Sequence, residues 1–97
     1  MEINVKSLKF NADQKLLDFV QKKVTRLSKF FEGMDTVDVT LSLSKEPDNK
    51  NVKLQTRVLG QDLVITRNAK TFEDAVTAAV DAMKESIVRS KEKVIEK

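Results

Sequence analysis

Four cations with no acid among them lie between positions 21 and 31: Lys22, Lys23, Arg26 and Lys29. We call these four residues the basic row. The apolar residues around them recur at spacings of three and four, which is the pattern of one side of an α-helix; they are Leu16, Val20, Val24, Leu27 and Phe31. At about 100° per residue, most of the basic row lies on the opposite side of this helix, with Lys23 toward one edge. Such a row suits a repeating anionic backbone, of which nucleic acid is the commonest.

A second basic cluster lies in the C-terminal part of the last predicted helix; its members are Lys84, Arg89, Lys91 and Lys93. Three glutamates dilute it, so it is the less specific of the two. If both helices pack on one face of a sheet, their outer surfaces form a continuous basic ridge or cleft. The competing interpretation is a solvated helix face whose charges complement the helix dipole. Composition alone favours nucleic-acid binding only slightly.

The chain lacks the residues that most catalytic and metal sites need. It contains no His and no Cys, which removes the usual base near neutral pH, the thiol nucleophile and most zinc sites. The two glycines lie far apart, so there is no phosphate-binding loop. Asp35 with Asp38, and Asp48 with Asn49, could hold a hard cation, but a solvated surface and a turn are the better interpretations. We expect no enzymatic activity, metal, cofactor or small-molecule substrate.

Length and composition predict one small domain in a reducing compartment. The 97 residues are 40% hydrophobic and 34% charged, with a net charge of +3. This is enough for a single thin core over residues 1–97. The absence of cysteine fits the cytosol. No apolar run approaches the roughly 20 residues that span a bilayer, and the alternating residues 1–6 are no signal peptide. We expect a cytoplasmic protein without a membrane partner.

Periodicity predicts the elements that position these cations. Ile3 and Val5 alternate with polar residues as a first strand, with a bulge or an irregular stretch expected near Ser7. A capping box at residues 11–14 opens the first helix, which should run to about residue 32, before a glycine. Period-two alternation then predicts strands over 37–43, 52–58 and 63–67, the last two joined by a turn at residues 60–61.

The last helix opens with a second capping box at residues 71–74, and its apolar face is spaced by threes and fours. The element order is β-α-β-β-β-α. Hairpin-linked strands should be antiparallel, and their single apolar face needs a cover that two amphipathic helices can provide. The sequence therefore predicts an α+β two-layer sandwich, a four-stranded sheet with both helices on one face.

Five segments carry a resemblance to a known family: residues 1–5, 17–31, 37–41, 71–76 and 89–93. In residue type and in order along the chain, they resemble the ribosome hibernation promoting factor and ribosome-associated inhibitor family. The resemblance covers essentially the whole chain. It implies the same β-α-β-β-β-α fold, docking on the small ribosomal subunit and its rRNA, and occupation of the mRNA and tRNA sites. It further implies that inactive ribosomes are preserved during slow growth, a stress response.

The resemblance also implies which cations make contact. Those that match the family's basic surface are Lys23, Arg26, Arg89, Lys91 and Lys93; the charge pattern alone adds Lys22, Lys29 and Lys84. Many members are basic midway through the last helix, where this chain has Ala82 and Glu85. We expect a short form without the dimerising second domain or the inhibitor's tail. Whether another ribosome modulation factor is a partner stays open.

Two other functions remain as alternatives. A protein-interaction module would use the exposed sheet face or an edge strand, with a dimer as one option; its contact residues would be Lys53, Gln55, Arg57, Val64 and Thr66. A free-standing RNA-binding protein would bind single-stranded RNA in isolation. This second alternative is the less favoured, because none of the five phenylalanines alternates with lysines on an exposed strand as a base-stacking platform would.

Overall fold

The computed structural model describes residues 2–29, 36–45, 49–58 and 60–95, with side chains described as far as residue 90. In chain order the elements are β1 (Glu2–Ser7), α1 (Gln14–Thr25), a 3₁₀ turn (Arg26–Lys29), β2 (Thr36–Leu43), β3 (Lys50–Val58), β4 (Gln61–Ala69) and α2 (Phe72–Ile95). The sheet order is β1-β2-β3-β4. Strand β1 is parallel to β2, and the other neighbours are antiparallel. The predicted α+β sandwich is confirmed.

The core lies between one face of the sheet and the two helices. The inward residues of β2 and β3 alternate with exposed ones, and both helices bury their apolar faces on them. Fully buried examples are Leu41, Leu54, Leu27, Met83 and Ile87. Each such side chain contributes about 1.5–3 kcal/mol when removed from water. Neither of the two described helices covers the opposite face of the sheet, which is open.

The two helices run parallel, which decides where their cations meet. Helix α1 is the crossover between two parallel strands, and α2 returns along the sheet after β4. The start of α2 is tied to the start of α1 by the stacked rings of Phe10 and Phe72, whose centroids are 5.0 Å apart. The far part of α2 reaches the beginning of β4, where the Ser90 hydroxyl lies 3.4 Å from the Gln61 side-chain oxygen. The C-terminal halves of both helices therefore lie at the same end of the fold, opposite the end where both helices begin.

The start of α1 differs from the prediction, and the start of α2 does not. The cap of α1 is Asp13, whose Oδ1 accepts a hydrogen bond from the Leu16 N–H at 2.8 Å; the predicted capping box beginning at Asn11 is wrong. At α2, Thr71 Oγ1 accepts from the Asp74 N–H at 3.1 Å, as predicted. Each side-chain cap satisfies a backbone donor that the helix itself cannot.

The predicted end of the first helix is also corrected. The α-helix stops at Thr25, and residues 26–29 form a 3₁₀ turn. Two hydroxyls accompany the change: Thr25 Oγ1 donates to the Gln21 carbonyl at 2.6 Å, and Ser28 Oγ donates to the Thr25 carbonyl at 2.8 Å. The rest of the predicted helix, including Phe31, lies outside the described residues.

The turn between β3 and β4 is shifted by one residue from the prediction. Gln61, predicted as part of the turn, instead opens β4 and pairs with Val58. Gly60, directly before it, has φ of +78°, and a Cβ there would meet nothing within 4 Å. Backbone conformation, rather than space, therefore requires the glycine. Of the bulge or irregular stretch predicted near Ser7, the structure shows the second: β1 pairs regularly up to Ser7, and irregular backbone follows at residues 8–10, where Lys9 has φ of 66°.

Candidate nucleic-acid interface

Cations from both helices converge on one groove. Three members of the basic row come from α1 and the 3₁₀ turn, and one cation comes from α2. The groove has a volume of about 310 Å³, and its lining residues are Lys23, Arg26, Lys29, Thr77, Val80, Asp81 and Lys84. We call it the helix groove. The prediction that cations of the two helices share a surface is met for these four residues.

Local backbone geometry explains why Arg26 and Lys29 line the groove together. In a 3₁₀ turn there are three residues per turn, so side chains three apart are eclipsed. Residues 26 and 29 are the first and last of this turn. In a continued α-helix they would diverge by about 60°. The change of helix type at Thr25 thus aims both cations the same way.

The helix groove is strongly positive. Among the described residues, four cations and one carboxylate line it, which gives these residues a formal charge of +3, from four positive charges minus one. Arg26, Lys29 and Lys84 are exposed, and Lys23 is half-buried. The Lys23 Nζ lies 5.6 Å from the centroid of the Phe19 ring, a cation–π distance that holds this ammonium near the groove wall. Such a site is complementary to phosphate groups and repels other cations.

The remaining predicted cations do not line the helix groove. Lys22 is exposed on the outer side of α1, next to Arg26. Arg89 is exposed and lies 3.9 Å from a Glu85 carboxylate oxygen; around α2 it is about 140° away from Lys84. The side chains of Lys91 and Lys93 lie outside the described residues. Their role, like that of the whole predicted set, stays a prediction.

Sequence reasoning missed two groove residues, Thr77 and Asp81. With Val80 and Lys84 they form one face of α2 at spacings of three and four. That spacing was visible in the sequence, but only the parallel arrangement of the helices shows that this face meets α1. Ala82, where the resemblance implied a basic residue, is half-buried, and Glu85 faces Arg89 instead of the groove.

The open face of the sheet brings together the residues of the alternative interface. Lys53 is opposite Thr66, Gln55 is opposite Val64, and Arg57 is opposite Asp62. The Arg57 guanidinium lies 3.9 Å from an Asp62 carboxylate oxygen, with both side chains about 70% exposed. This face is mostly polar; among its described apolar residues, Val64 is 49% exposed and Leu8 is 38% exposed.

Neither a metal cluster nor a membrane span is found in the part of the chain that the structure describes. No three acidic, histidine or cysteine side chains gather there. Asp38 accepts a hydrogen bond from Asn4 Nδ2 at 3.1 Å, while Asp35 and Asp48 fall outside the described ranges. Among the helices of those ranges, none is long and apolar enough to cross a bilayer.

The sequence pattern of one protein family extends over nearly the whole chain. The family described as sigma 54 modulation protein / S30EA ribosomal protein matches residues 3–95. The chain belongs to this family. The resemblance inferred from the five sequence segments is thereby confirmed, because that resemblance named the hibernation factors of the same family.

One curated relative is similar in sequence over the whole chain, and two solved structures have the same fold. The ribosome hibernation promoting factor of Azotobacter vinelandii is 23% identical over 97 residues, which are 100% of this chain and 89% of that protein. A ribosomal subunit interface protein from Coxiella burnetii superposes with a TM-score of 0.86 at 13% identity, covering 95% of this chain and 99% of that one. The N-terminal domain of Thermus thermophilus Protein Y superposes with a TM-score of 0.80 at 22% identity, covering 92% of this chain and 98% of that one.

Membership of this family bears on the catalytic question. Its description and its relatives' names denote modulation, hibernation and ribosomal proteins, which are ribosome-associated factors rather than enzymes. At the level of the family, the prediction of a non-enzymatic protein is confirmed. What the cations of the helix groove bind is a separate question of chemistry.

Proposed function

We propose that this protein is a translation inhibitor that binds rRNA of the small ribosomal subunit and occludes the mRNA and tRNA sites. Residues 1–97 act as one ribosome-binding domain in the cytoplasm, and inactive ribosomes are preserved during slow growth. The observation that carries the proposal is the convergence of four cations from two helices on the helix groove. The names of the relatives, a hibernation promoting factor and a ribosomal subunit interface protein, support the choice of partner.

Binding is driven by phosphate neutralisation. Each Lys or Arg that pairs with a phosphate releases a condensed counterion, so the logarithm of affinity falls with the logarithm of salt by about 0.7–0.9 per contact. Lys22 and the four cations of the helix groove make five such contacts if all engage. We therefore expect a slope of about −4.

Recognition depends on RNA shape and phosphates more than on base sequence. The phenylalanines described by the structure, Phe10, Phe19 and Phe72, all pack against the core. They offer no free ring for base stacking. A body with extents of 44 × 24 × 17 Å, held on RNA by its cations, inhibits by filling space that other ligands need.

The test is co-sedimentation with purified small subunits. The variant Lys23→Ala/Arg26→Ala removes two groove cations; we expect at least a tenfold loss of affinity at 0.1 M salt and a salt slope reduced by about 2. The matched control is Lys15→Ala/Lys70→Ala, which removes two exposed cations outside the groove. Circular dichroism should show both variants folded. Wild-type sedimentation of the groove variant would remove the helix groove from the binding site.

The second candidate, a protein-interaction module on the open sheet face, is supported by the exposure of Val64 in β4. Such a module would stay at the top of the gradient at low and at high salt. A free-standing RNA-binding protein would bind isolated single-stranded RNA about as strongly as it binds subunits. Sedimentation at two salt concentrations, with a single-stranded RNA competitor, distinguishes all three functions. It also shows whether a further modulation factor is needed.

A further inference from the structure

The open face of the sheet contains a second groove, larger and different in chemistry from the helix groove. Its volume is about 500 Å³, and its lining residues are Leu8, Thr40, Ser42, Ser44, Asn51, Lys53, Thr66 and Asn68. We call it the sheet groove. Six of the eight carry a hydroxyl or an amide, one is a cation, and none is an acid. Hydrogen-bond donors and acceptors are thus gathered on a surface that neither described helix covers.

Strand register arranges these groups in two rows. One row crosses the sheet from Lys6 through Thr40 and Lys53 to Thr66, and the next runs from Ser42 through Asn51 to Asn68. The rows are two residues apart along each strand, or about 6.6 Å. The first row carries the positive charge and the second carries the amides. A ligand lying across both rows would meet a charged contact and a neutral one side by side.

Asn51 is the unusual member of the sheet groove. Its Oδ1 is shielded from solvent and accepts no hydrogen bond. Among buried polar atoms of native proteins this is rare and costs stability. The terminal torsion of an asparagine is broad, so a donor that enters the groove can draw this oxygen into a hydrogen bond. The orphan oxygen thus indicates a ligand that donates.

We propose that the sheet groove is a second RNA-contact surface that holds a ribose-phosphate segment. Lys53 and the hydroxyls donate to phosphate oxygens, and Asn51 accepts from a ribose 2′-hydroxyl. A phosphate offers only acceptors and cannot satisfy Asn51, whereas the 2′-hydroxyl is both donor and acceptor. This inference rests on the proposed function, because it takes the same rRNA as ligand.

Charge and polarity favour RNA over a protein segment as the occupant. A protein partner usually anchors through apolar or aromatic side chains in pockets, and the sheet groove offers it only Leu8, which is 38% exposed. The described lining residues include no carboxylate that would repel phosphate. Since the helix groove and the sheet groove lie on opposite layers, the domain would be clamped between two RNA segments.

The first experiment measures affinity for purified small subunits. Lys53→Gln removes the groove cation, and Arg57→Gln is its matched control, because it lies on the same strand and face but outside the groove. We expect Lys53→Gln to weaken binding about three- to tenfold and to reduce the salt slope by about 1. Arg57→Gln should bind like the wild type.

The second experiment separates binding from folding. Asn51→Val removes the orphan amide and adds a strand-favouring residue, so its Tm should rise while its affinity for subunits falls about threefold. Gln55→Val, on the same strand and face but outside the groove, is its control and should keep wild-type affinity. Lower affinity in a more stable protein cannot come from unfolding.

The third experiment identifies the occupant. The chain has no cysteine, so Thr66→Cys carries a single photo-cross-linker into the sheet groove, and rRNA is the expected product. A ribosomal protein as the main product would overturn the inference. Wild-type binding of Lys53→Gln and Asn51→Val would overturn it as well. If Lys23→Ala/Arg26→Ala still binds weakly in that case, the proposed function stands; if that variant also binds normally, both proposals fail.

Discussion

Among the described residues that line the helix groove, Asp81 is the one acid, and its removal should strengthen RNA binding. Asp81→Asn keeps the shape of the side chain and raises the formal charge of the groove lining from +3 to +4. Most substitutions in a binding site weaken binding, so an increase is a demanding test of the electrostatic argument.

The size of the effect follows from the groove. A volume of about 310 Å³ is that of a sphere about 4 Å in radius, so a central phosphate lies roughly 6–7 Å from the carboxylate, with a repulsion of about 0.6–1.3 kcal/mol for dielectric constants of about 80 to 40. At 0.1 M salt the Debye length is about 10 Å, which roughly halves this energy. Since about 1.4 kcal/mol is tenfold in affinity, we expect a two- to threefold gain.

Equilibrium titration of labelled small subunits at several salt concentrations measures this gain. The matched control is Asp18→Asn, which neutralises an exposed carboxylate of α1 outside the groove and keeps the oxygen that accepts from Gln14. The difference between the two variants should shrink as salt rises and vanish near 1 M, where the Debye length is about 3 Å. Equal affinities of the two variants at low salt, or weaker binding by Asp81→Asn, would refute the reasoning.

Three further substitutions test the fold that supports the grooves. Met83→Ala removes a fully buried side chain and should cost about 2–5 kcal/mol, measured by urea unfolding; a cost below 1 kcal/mol would contradict its place in the core. Asp13→Ala removes the cap of α1 and should cost about 1 kcal/mol, against no change for Asn11→Ala. Glu85→Gln breaks a pair with both side chains about 75% exposed and should change the unfolding free energy by no more than about 0.5 kcal/mol. A larger loss would show that the pair supports α2.

Much of the fold was predictable because its apolar residues follow the periods of the elements that bury them. The alternation of Val37, Val39 and Leu41 indicated a strand with one buried face, and each is buried. The position of the turn was harder to predict. Moving the turn by one residue shifts the pairing of β3 with β4 by two residues, and such a shift leaves every side chain on the same face of the sheet. The opposite charges of Arg57 and Asp62, which pair in the observed register, were the available signal.

The site was predictable only in part. Three of the four residues of the basic row line the helix groove, but two structural facts were needed to bring them together with α2: the parallel direction of the helices and the change to a 3₁₀ turn after Thr25. Counting at 100° per residue would already have separated Lys84 from Arg89. No periodicity in the sequence indicates that Asn51 Oδ1 lacks a hydrogen bond, because this depends on whether a neighbouring strand places a donor beside it.

Because the two helices are parallel, charge is distributed unevenly along the molecule, and an electric field can orient it. Charges nearly cancel where both helices begin, because Asp13, Glu73 and Asp74 lie near Lys15, Lys50 and Lys70. The groove cations lie further along, toward the other end of α1, where positive charge prevails. When the protein approaches a polyanion in solution, the field of the polyanion exerts a torque on this charge distribution. The torque turns the helix groove toward the polyanion before contact. Fewer collisions are then wasted on wrong orientations, which raises the association rate at low ionic strength.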